Sequence, residues 1–349
     1  MRVLITGNMG YVGPVVVRYL RQHRPDAELI GYDSGLFAGC LTTGSRAPET
    51  LLNRQYFGDV RDLPAALLNG VDAVVHLAAV SNDPIGNRFQ AATDAINHRA
   101  SLRLAGLAAA SRVSHFVYAS SCSVYGAAGS QARQESDTLN PLTAYARSKV
   151  MTEQGLRQMD LNGMTTTCLR FATACGMSAR LRLDLVLNDF AACALTSGEI
   201  TVLSDGTPWR PLIDVRDMAR AIEWAIVRKV ADGGHMLVIN VGSDERNHQV
   251  RELAEAAAAA LPGTSVSINR AAPPDGRSYR VDFSMFRKFA PNHQPLYSLG
   301  DSISSLAIGL RGIDFDNPDF RRSASLIRLN ALSSLIEQGT LDADLRWCA

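Results

Sequence analysis

The chain has 349 residues, of which 46% are hydrophobic and 20% are charged, so it has enough apolar side chains for a large buried core. Lysine and arginine together number 35, against 34 aspartates and glutamates. This balance gives no reason to expect nucleic acid or an anionic membrane as a partner, and any phosphate binding has to be local.

The six cysteines form neither a CxxC pair nor a cluster with metal-ligand spacing, so we predict reduced structural thiols and no metal site. The chain begins directly with the apolar residues Val3, Leu4 and Ile5, not with a charged leader and a long hydrophobic stretch. No run approaches the roughly 20 apolar residues of a membrane span. We therefore expect a cytoplasmic protein without a membrane partner.

Short β-like runs alternate with longer helical runs through the first half of the chain. The predicted strands are 3–6, 28–33, 73–78, 116–120 and 165–171, and the predicted helices are 12–23, 90–111 and 143–162. This alternation is typical of βαβ units that wind a parallel sheet with right-handed crossovers. The predicted fold class is therefore α/β, a doubly wound, Rossmann-type parallel sheet whose strands end along one ligand-binding edge.

After about residue 175 this rhythm loosens. We predict a helix at 181–197, a strand at 236–241, an alanine-rich helix at 250–261 and an apolar tail that Asn317 and Pro318 interrupt. The predicted organisation is a Rossmann domain over 1–175, to which 211–245 returns. A smaller, mixed C-terminal substrate lobe is then made of 176–210 and 246–349.

A glycine-rich turn follows the first predicted strand and opens the first predicted helix. Gly7, Gly10 and Gly13 have GxxGxxG spacing. In this context the first glycine allows a tight turn, the second lets the backbone approach a pyrophosphate, and the third lets the helix pack on the strand. The alternative is an ordinary strand-to-helix turn.

Two acidic positions extend the dinucleotide interpretation. Asp33 ends the second predicted strand, about 20 residues beyond the turn, where a carboxylate accepts hydrogen bonds from the adenosine ribose and favours NAD over NADP. Such an aspartate is also a common turn residue. Asp59 and Val60 are candidates for the adenine edge, with a helix cap as an equal alternative for Asp59.

Tyr145 and Lys149 are four residues apart, so they share one face of the predicted helix. We expect Lys149 to lower the pKa of the phenol from about 10, so that Tyr145 exchanges a proton with an alcohol or carbonyl oxygen. Ser121 lies at the carboxyl end of a predicted strand, where it can hydrogen-bond the same oxygen. YxxxK alone is frequent by chance, and a packed tyrosine beside a solvated lysine is the alternative.

Together with His76-Leu77-Ala78-Ala79, these motifs resemble those of the extended short-chain dehydrogenase/reductase family, in particular its nucleotide-sugar epimerase/dehydratase branch, over about residues 1–245. The resemblance implies NAD as the cofactor, and Ser121, Tyr145 and Lys149 as the catalytic trio. The cofactor site that it implies consists of Gly7, Asn8, Met9, Gly10, Tyr11, Val12, Gly13, Asp33, Asp59, Val60, Leu77, Ala78, Ala79, Ser81, Asn97, Tyr145 and Lys149.

The resemblance also implies a site for a nucleotide-linked sugar. Arg210 is the leading anchor for the substrate diphosphate, because a guanidinium matches phosphate in bidentate fashion. The family usually has Asp and His where this chain has Pro211 and Asp214, and Thr173 stands where relatives commonly carry Asn. The other candidates for this site are Ser81, Ser121, Ser123, Leu185, Asn188 and Arg277.

Dehydratases of this branch carry an Asp-Glu pair directly after the catalytic Ser or Thr, as acid and base for the removal of water. This chain has Cys122 and Ser123 there, which disfavours dehydration. An epimerase that oxidises the sugar transiently to a ketone and reduces it again with tightly held NAD remains, and we favour it. The first alternative is an NAD(P)-dependent reductase or dehydrogenase of a nucleotide-linked 4-keto sugar.

Two further alternatives stay open. Relatives that epimerise carbons beside a ketone use a cysteine one position later than Cys122 as acid/base, so a C3/C5 keto-sugar epimerase is one of them, with an inert buried thiol as the simpler interpretation. A non-enzymatic dinucleotide-binding protein is disfavoured, because such proteins lose the Tyr or the Lys. The resemblance also implies a homodimer formed through the helices at about 90–111 and 143–162.

Overall fold

A central sheet of seven parallel strands organises the protein, which the computed structural model describes over residues 1–44, 46–272 and 276–348. In chain order the strands are β1 (Arg2–Thr6), β2 (Glu28–Asp33), β3 (Arg54–Phe57), β4 (Ala73–His76), β5 (His115–Ser121), β6 (Ala127–Arg133), β7 (Thr165–Phe171), β8 (Thr173–Cys175), β9 (Glu199–Val202), β10 (Trp209–Asp214), β11 (Met236–Val241), β12 (Asn247–Gln249), β13 (Ser265–Ile268) and β14 (Ser278–Val281).

The helices cover both faces of this sheet and build much of the lobe. They are α1 (Gly13–His23), α2 (Asp83–Arg88), α3 (Gln90–Thr93), α4 (Ala100–Ala110), α5 (Ala144–Gln158), α6 (Val186–Thr196), α7 (Val215–Ala225), α8 (Val250–Ala260), α9 (Ser284–Phe289), α10 (Leu299–Arg311) and α11 (Arg328–Glu337). A π-helical segment, Asp94–Arg99, joins α3 to α4. None of the described helices combines the length and the apolar character needed to cross a bilayer.

The strand order in the central sheet is β11-β7-β5-β4-β1-β2-β3. From β1 the chain therefore winds outward to β3 and then, from β4, outward in the opposite direction. The direction changes between β1 and β4, which pair in parallel with Thr6 opposite His76. The crevice beyond the carboxyl ends of such strands is where ligands bind in doubly wound folds.

Burial along β1 shows why both faces are covered. Val3 and Ile5 belong to one apolar cluster, whereas Leu4 between them belongs to a second cluster on the opposite face. Successive strand residues point to opposite faces of a sheet, so an unbroken apolar run requires helices on both sides. The prediction of an α/β, doubly wound sheet is confirmed.

Most predicted elements of the first half are present with small shifts at their ends. Three strands, Glu28–Asp33, Thr165–Phe171 and Met236–Val241, have the predicted bounds, and the last of these joins the central sheet beside β7. The predicted strand at 73–78 ends at His76. The predicted helix at 181–197 begins only at Val186, because 180–184 forms part of an irregular segment held by ion pairs.

Three small sheets lie outside the central sheet, and two of them join strands of the predicted lobe to β8 and β6 of residues 1–175. Their orders are β12-β10-β8, β13-β9 and β14-β6, and the β10–β12 pair is antiparallel whereas the others are parallel. The alanine-rich segment is helix α8, which buries Leu253, Ala254 and Ala257. The apolar tail forms α10 and α11, separated by the segment around Asn317 and Pro318.

Candidate active site

A cavity of about 720 Å³ lies along the carboxyl edge of the central sheet. Its walls include the loops after β2 and β3 at one end and lobe residues from β9, β10 and β14 at the other. This volume lies within the range typical of small-molecule sites. The cavity passes the point where the strand order changes direction, so an elongated ligand fits along it.

The glycine turn has the geometry that a dinucleotide needs. Gly7 has a φ of +75°, and a Cβ there would lie 2.4 Å from the backbone nitrogen of Ala78. A Cβ at Gly13 would lie 2.3 Å from the Asn8 carbonyl oxygen. Helix α1 begins at Gly13 without a side-chain cap, and the positive end of its dipole favours an anion such as a pyrophosphate there, although Pro14 has no N–H and the Val15 N–H donates to the Val12 carbonyl at 3.1 Å.

Five of the predicted turn residues line the cavity: Gly7, Gly10, Tyr11, Val12 and Gly13. Asn8 and Met9 do not, which corrects the prediction for both. Asn8 is buried, and its Nδ2 donates to Gln55 Oε1 at 2.7 Å. Met9 is buried too, and its backbone N–H donates to Asp33 Oδ2 at 2.9 Å. Both residues therefore stabilise the glycine turn from the protein interior.

Asp33 lines the cavity at the end of β2, where the sequence predicts a ribose partner. Its carboxylate accepts from the backbone N–H groups of Met9 and Gly35, the latter at 2.8 Å. Burial raises the pKa of Asp33, and these two hydrogen bonds act in the opposite direction. The turn and the carboxylate are thus fixed to one another.

Asp59 and Val60 line the cavity after β3. Asp59 also caps a 3₁₀ turn, since its Oδ1 accepts from the backbone N–H of Arg61 at 2.8 Å. Although burial acts to raise the pKa of Asp59, the Arg61 guanidinium bound to it lowers that pKa overall. Asp59 therefore both caps the 3₁₀ turn and lines the cavity.

Leu77, Ala78, Ala79 and Ser81, which follow β4, all line the cavity. Asn97 does not, so its predicted direct contact with the cofactor is corrected. Its fully buried amide accepts from the backbone N–H of Val80 at 2.8 Å and donates to the carbonyl of Val80 at 2.9 Å. Asn97 lies on the π-helical segment and fixes the loop that does line the cavity.

Ser121, Tyr145 and Lys149 lie together in the middle of the cavity. Ser121 is the last residue of β5, and Tyr145 lies in the first turn of α5, which Thr143 caps by accepting from the Ala146 N–H at 3.1 Å. The Lys149 Nζ lies 5.5 Å from the Tyr145 ring centre. Two separate elements thus present the predicted trio to one space.

The pKa values of the trio differ from the expectation. Burial raises the pKa of Tyr145 to about 12, against the effect of a hydrogen bond with Ser121. Burial also lowers the pKa of Lys149 to about 7. The Lys149 ammonium donates to the Ala119 carbonyl at 2.7 Å and lies over the Tyr118 ring. In the chain alone, the pKa of the phenol is therefore raised and not lowered as expected, because desolvation dominates.

Cys122 lies outside the cavity lining, although it directly follows Ser121. It is fully buried, and its thiol donates to the Arg170 carbonyl at 3.1 Å. Burial raises the pKa of this thiol strongly. Since the thiolate is the reactive form, the structure contradicts an acid/base role for Cys122 and agrees with an inert buried thiol.

A buried network beneath the serine loop was not predicted. Arg170 and Glu153, whose side chains are each 4% exposed, form an ion pair with a 2.7 Å contact. Ser120 Oγ donates to Glu153 Oε1 at 2.5 Å. This network fixes the end of β5 immediately before Ser121.

The lobe end of the cavity carries Arg210, the predicted diphosphate anchor, and Arg277, a further predicted pocket residue. Arg210 and Arg277 both line it, and Arg210 donates to the backbone carbonyl of Arg277. Arg277 also forms an ion pair with Asp83 at 2.8 Å. Ser123, Leu185 and Thr173 line the same space. These residues bring the guanidinium groups of Arg210 and Arg277 together with apolar and hydroxyl side chains.

Asn188 lies outside the cavity, which corrects its predicted substrate contact. It is fully buried, accepts from the Gly176 N–H at 3.0 Å and donates to the Arg182 carbonyl at 2.9 Å. It also donates to the Tyr11 hydroxyl at 3.1 Å. Asn188 therefore attaches the lobe to the glycine turn.

Arg182 and Asp184 were missed by the sequence analysis, although both line the cavity. Their side chains form an ion pair at 2.8 Å, and Arg182 also donates to Ser81 Oγ at 3.0 Å. The only local signal was the alternation of charged residues with leucines over 180–184. Within the described residues there is no group of three or more His, Cys, Asp or Glu side chains that could hold a metal ion.

The fold and these side chains define the class of Rossmann-type enzymes that bind a dinucleotide at the end of a parallel sheet. The model of the NAD dependent epimerase/dehydratase family matches residues 3–242, and the chain belongs to this family. Its cofactor is accordingly NAD. The predicted resemblance to the extended short-chain dehydrogenase/reductases is confirmed.

Individual relatives are distant. The chain is 28% identical over 257 residues to the uncharacterized UDP-glucose epimerase YtcB of Bacillus subtilis, a match that covers 70% of this chain and 78% of that protein. It is 27% identical over 240 residues to a UDP-glucose 4-epimerase of Lactobacillus helveticus, covering 63% of this chain and 70% of the relative.

Solved structures are similar over nearly the whole chain. The NAD-dependent NDP-hexosamine 5,6-dehydratase TunA has a TM-score of 0.77 at 23% identity, covering 90% of this chain and 99% of TunA. MoeE5 in complex with UDP-glucose and NAD has a TM-score of 0.74 at 25% identity, covering 89% of this chain and 99% of MoeE5. TunA, below 25% identity, establishes similarity of fold alone.

Proposed function

We propose that this enzyme is an NAD-dependent epimerase of a nucleotide-linked sugar, with Tyr145 as the acid/base. The observation that carries the proposal is one continuous cavity. The glycine turn and Asp33 border one end, the trio with Tyr145 lies in the middle, and Arg210 and Arg277 border the lobe end. Such an arrangement holds a dinucleotide and a diphosphate-linked sugar end to end, with the reacting carbon near Tyr145. The UDP-glucose epimerases among the relatives support the same substrate class.

In the proposed first half-reaction a sugar carbinol becomes a ketone. Tyr145 takes the hydroxyl proton, and Ser121 hydrogen-bonds the same oxygen so that the proton transfer has a fixed direction. NAD, when bound, supplies the hydride acceptor for this step and the hydride for its reversal. In the second half-reaction the ketone has turned in the cavity to present its opposite face, and Tyr145 returns the proton to its oxygen.

This chemistry requires a phenol that gives up its proton more readily than Tyr145 does in the chain alone, where burial raises its pKa to about 12. Positive charge near the ring favours phenolate. Lys149, 5.5 Å from the ring centre, supplies one such charge when protonated. An oxidised nicotinamide held beside Tyr145 and Lys149 would supply a further positive charge. We therefore propose that cofactor binding, and not the Tyr–Lys pair alone, activates Tyr145.

The remaining site assignments are part of the proposal. Arg210 and Arg277 bind the substrate diphosphate, and substrate entry exchanges the Asp83 partner of Arg277 for phosphate. The cavity positions of Ser81, Ser123 and Thr173 support their role beside the sugar. We propose the division into a Rossmann domain over 1–175 with 211–245 and a substrate lobe made of the rest; the β13-β9 sheet lies wholly within that lobe, whereas β6 and β8 of residues 1–175 pair with β14 and β10.

In the reductase alternative the cofactor leaves after each turnover, whereas in the proposed epimerase it stays bound. The dehydratase reaction is disfavoured because the two positions after Ser121 hold a buried thiol and a hydroxyl, so no acidic pair is available there. The C3/C5 keto-sugar epimerase alternative is not supported, because Cys122, its candidate acid/base, does not line the cavity.

We also propose a cytoplasmic location and a homodimeric assembly. All six cysteines are free and five are buried, which supports a reducing compartment such as the cytoplasm. The homodimer through the helices at about 90–111 and 143–162 stays a proposal that rests on the family resemblance. Light scattering of the protein after gel filtration tests the dimer: a monomer mass would refute it.

The experiment on function starts with the dinucleotide. Its identity and amount are measured by mass spectrometry after release from purified protein. The protein is then incubated with a panel of UDP-, dTDP- and GDP-linked sugars and their 4-keto derivatives, without added NAD(H) or NADP(H). Conversion of a sugar to its isomer while NAD stays bound supports the epimerase. Conversion only with stoichiometric added cofactor would make the enzyme a reductase or dehydrogenase.

A further inference from the structure

The last residues of the chain cross the adenosine end of the cavity. We call residues 340–348, which follow helix α11, the C-terminal strap. An antiparallel bridge between Leu341 and Trp347 closes the strap into a compact loop, and the Cys348 N–H donates to the Thr340 carbonyl at 3.0 Å. The strap therefore has a defined shape of its own.

Polar contacts attach the strap to the two loops that carry the predicted adenosine residues. Trp347 Nε1 donates to the carbonyl of Ser34, directly after Asp33, at 2.6 Å. The Arg346 guanidinium forms an ion pair with Asp62 at 2.5 Å and lies 3.9 Å from the Asp59 carboxylate. One segment thus bridges the loop after β2 and the loop after β3.

Arg61 completes the attachment from the other side. Its guanidinium binds the Asp59 carboxylate and donates to the backbone carbonyls of Asp344 at 2.8 Å and Leu345 at 3.2 Å. The Arg61 side chain is only 9% exposed, although its bond to Asp344 lies at the surface. The cavity wall at Asp59 and the tip of the strap are therefore coupled through one buried guanidinium.

The tip of the strap forms part of the cavity wall. Leu345 is 2% exposed, lines the cavity and adopts a φ of +57°, a conformation that leucine rarely takes. Leu332 of α11 is equally buried and lines the same wall. The surrounding contacts hold the Leu345 backbone in this conformation. The Leu345 side chain belongs to the same apolar cluster as Val60.

Helix α11 also contributes a buried positive charge. Arg328 lines the cavity, is 2% exposed and lies 4.9 Å over the Phe37 ring. Its guanidinium donates to the carbonyls of Ser325 and Arg180, and no ion pair joins it to any carboxylate of the described chain. A buried guanidinium without a carboxylate is suited to an anionic ligand, and a dinucleotide diphosphate is one.

We propose that the C-terminal strap, together with Arg328, completes the NAD site and keeps the cofactor bound between turnovers. This inference rests on the proposed function and deepens it. An epimerase takes hydride from the sugar and returns the same hydride within one turnover, so its cofactor has no need to leave. The strap covers the adenosine end alone, so the lobe end stays open to the sugar substrate.

The test compares the release of dinucleotide from the parent protein and from the double variant Arg346→Ala/Trp347→Ala. Both side chains are exposed by more than two fifths, 43% and 47%, so their removal leaves the core intact. Proteins loaded with NADH are mixed with excess NAD, and the decay of NADH fluorescence gives the dissociation rate. We expect the double variant to release NADH about tenfold faster, since an ion pair and an indole hydrogen bond are lost.

The control is Arg311→Ala, which removes an exposed arginine at the end of α10 and should leave the release rate unchanged. Trp347→Phe, which keeps the ring and removes the N–H, should give a smaller increase. The proposal is overturned if the folded double variant releases NADH within twofold of the parent rate. The NADH release assay contains no sugar, so its result does not depend on epimerase activity. Either proposal can therefore fail without the other.

Discussion

Replacing Tyr145 by Phe separates the chemistry from the binding of the cofactor. Positioned acid/base groups typically contribute about 10²–10⁴-fold, so we expect kcat to fall by about that factor. Because burial raises the pKa of this phenol to about 12, the chain without cofactor carries no charge at Tyr145 near neutral pH. The loss in folding free energy should be about 0.5–1.5 kcal/mol, the usual net worth of one hydrogen bond.

Three readouts check this prediction on the same preparations. Steady-state turnover of the sugar identified in the panel gives kcat, fluorescence titration gives the Kd for NADH, and urea unfolding gives the free energy of unfolding. Tyr19→Phe is the matched control, because Tyr19 lies on α1 outside the cavity, stacked on His23. Turnover of Tyr145→Phe within threefold of the parent, with Kd unchanged, would refute the role of Tyr145.

Three more predictions concern residues that hold the site in place. Glu153→Gln leaves the buried Arg170 guanidinium without its carboxylate and should lower the free energy of unfolding by about 3–5 kcal/mol in urea; a loss below about 1 kcal/mol would contradict the role of the pair. Asn97→Ala removes both hydrogen bonds to Val80 and should cost about 3 kcal/mol in the same assay, whereas an unchanged midpoint would argue against it. Gly13→Ala places a Cβ 2.3 Å from a backbone oxygen and should weaken NADH binding about tenfold or more in a fluorescence titration, while equal binding would show that the turn adapts.

The central sheet was predictable because its strands are encoded locally. The segment Thr165–Phe171 is buried at every position, and apart from Arg170, which pairs with Glu153, it consists of threonines and apolar residues, so its ends are sharp. The glycine turn, Asp33 and the trio were predictable for a related reason. Each directly follows a strand or opens a helix, and the carboxyl ends of parallel strands share one edge.

The lobe pairs segments that are distant in the chain, and no local pattern specifies such a partner. Strand Glu199–Val202 pairs with Ser265–Ile268, and Ala127–Arg133 pairs with Ser278–Val281. Arg328 and the C-terminal strap were missed for the same reason, since they reach the cavity only through tertiary packing. Positions such as Asn97 were assigned by motif, but which atoms they contact depends on the backbone around them.

The most direct test of the central claim is epimerisation in deuterium oxide with no added cofactor. Return of the same hydride from bound NAD predicts a product isomer that carries no deuterium on carbon, as read by mass spectrometry and proton NMR, together with NAD still bound to the protein. Deuterium on the inverted carbon would show a proton removed from carbon and replaced from solvent, and would contradict oxidation and re-reduction at Tyr145.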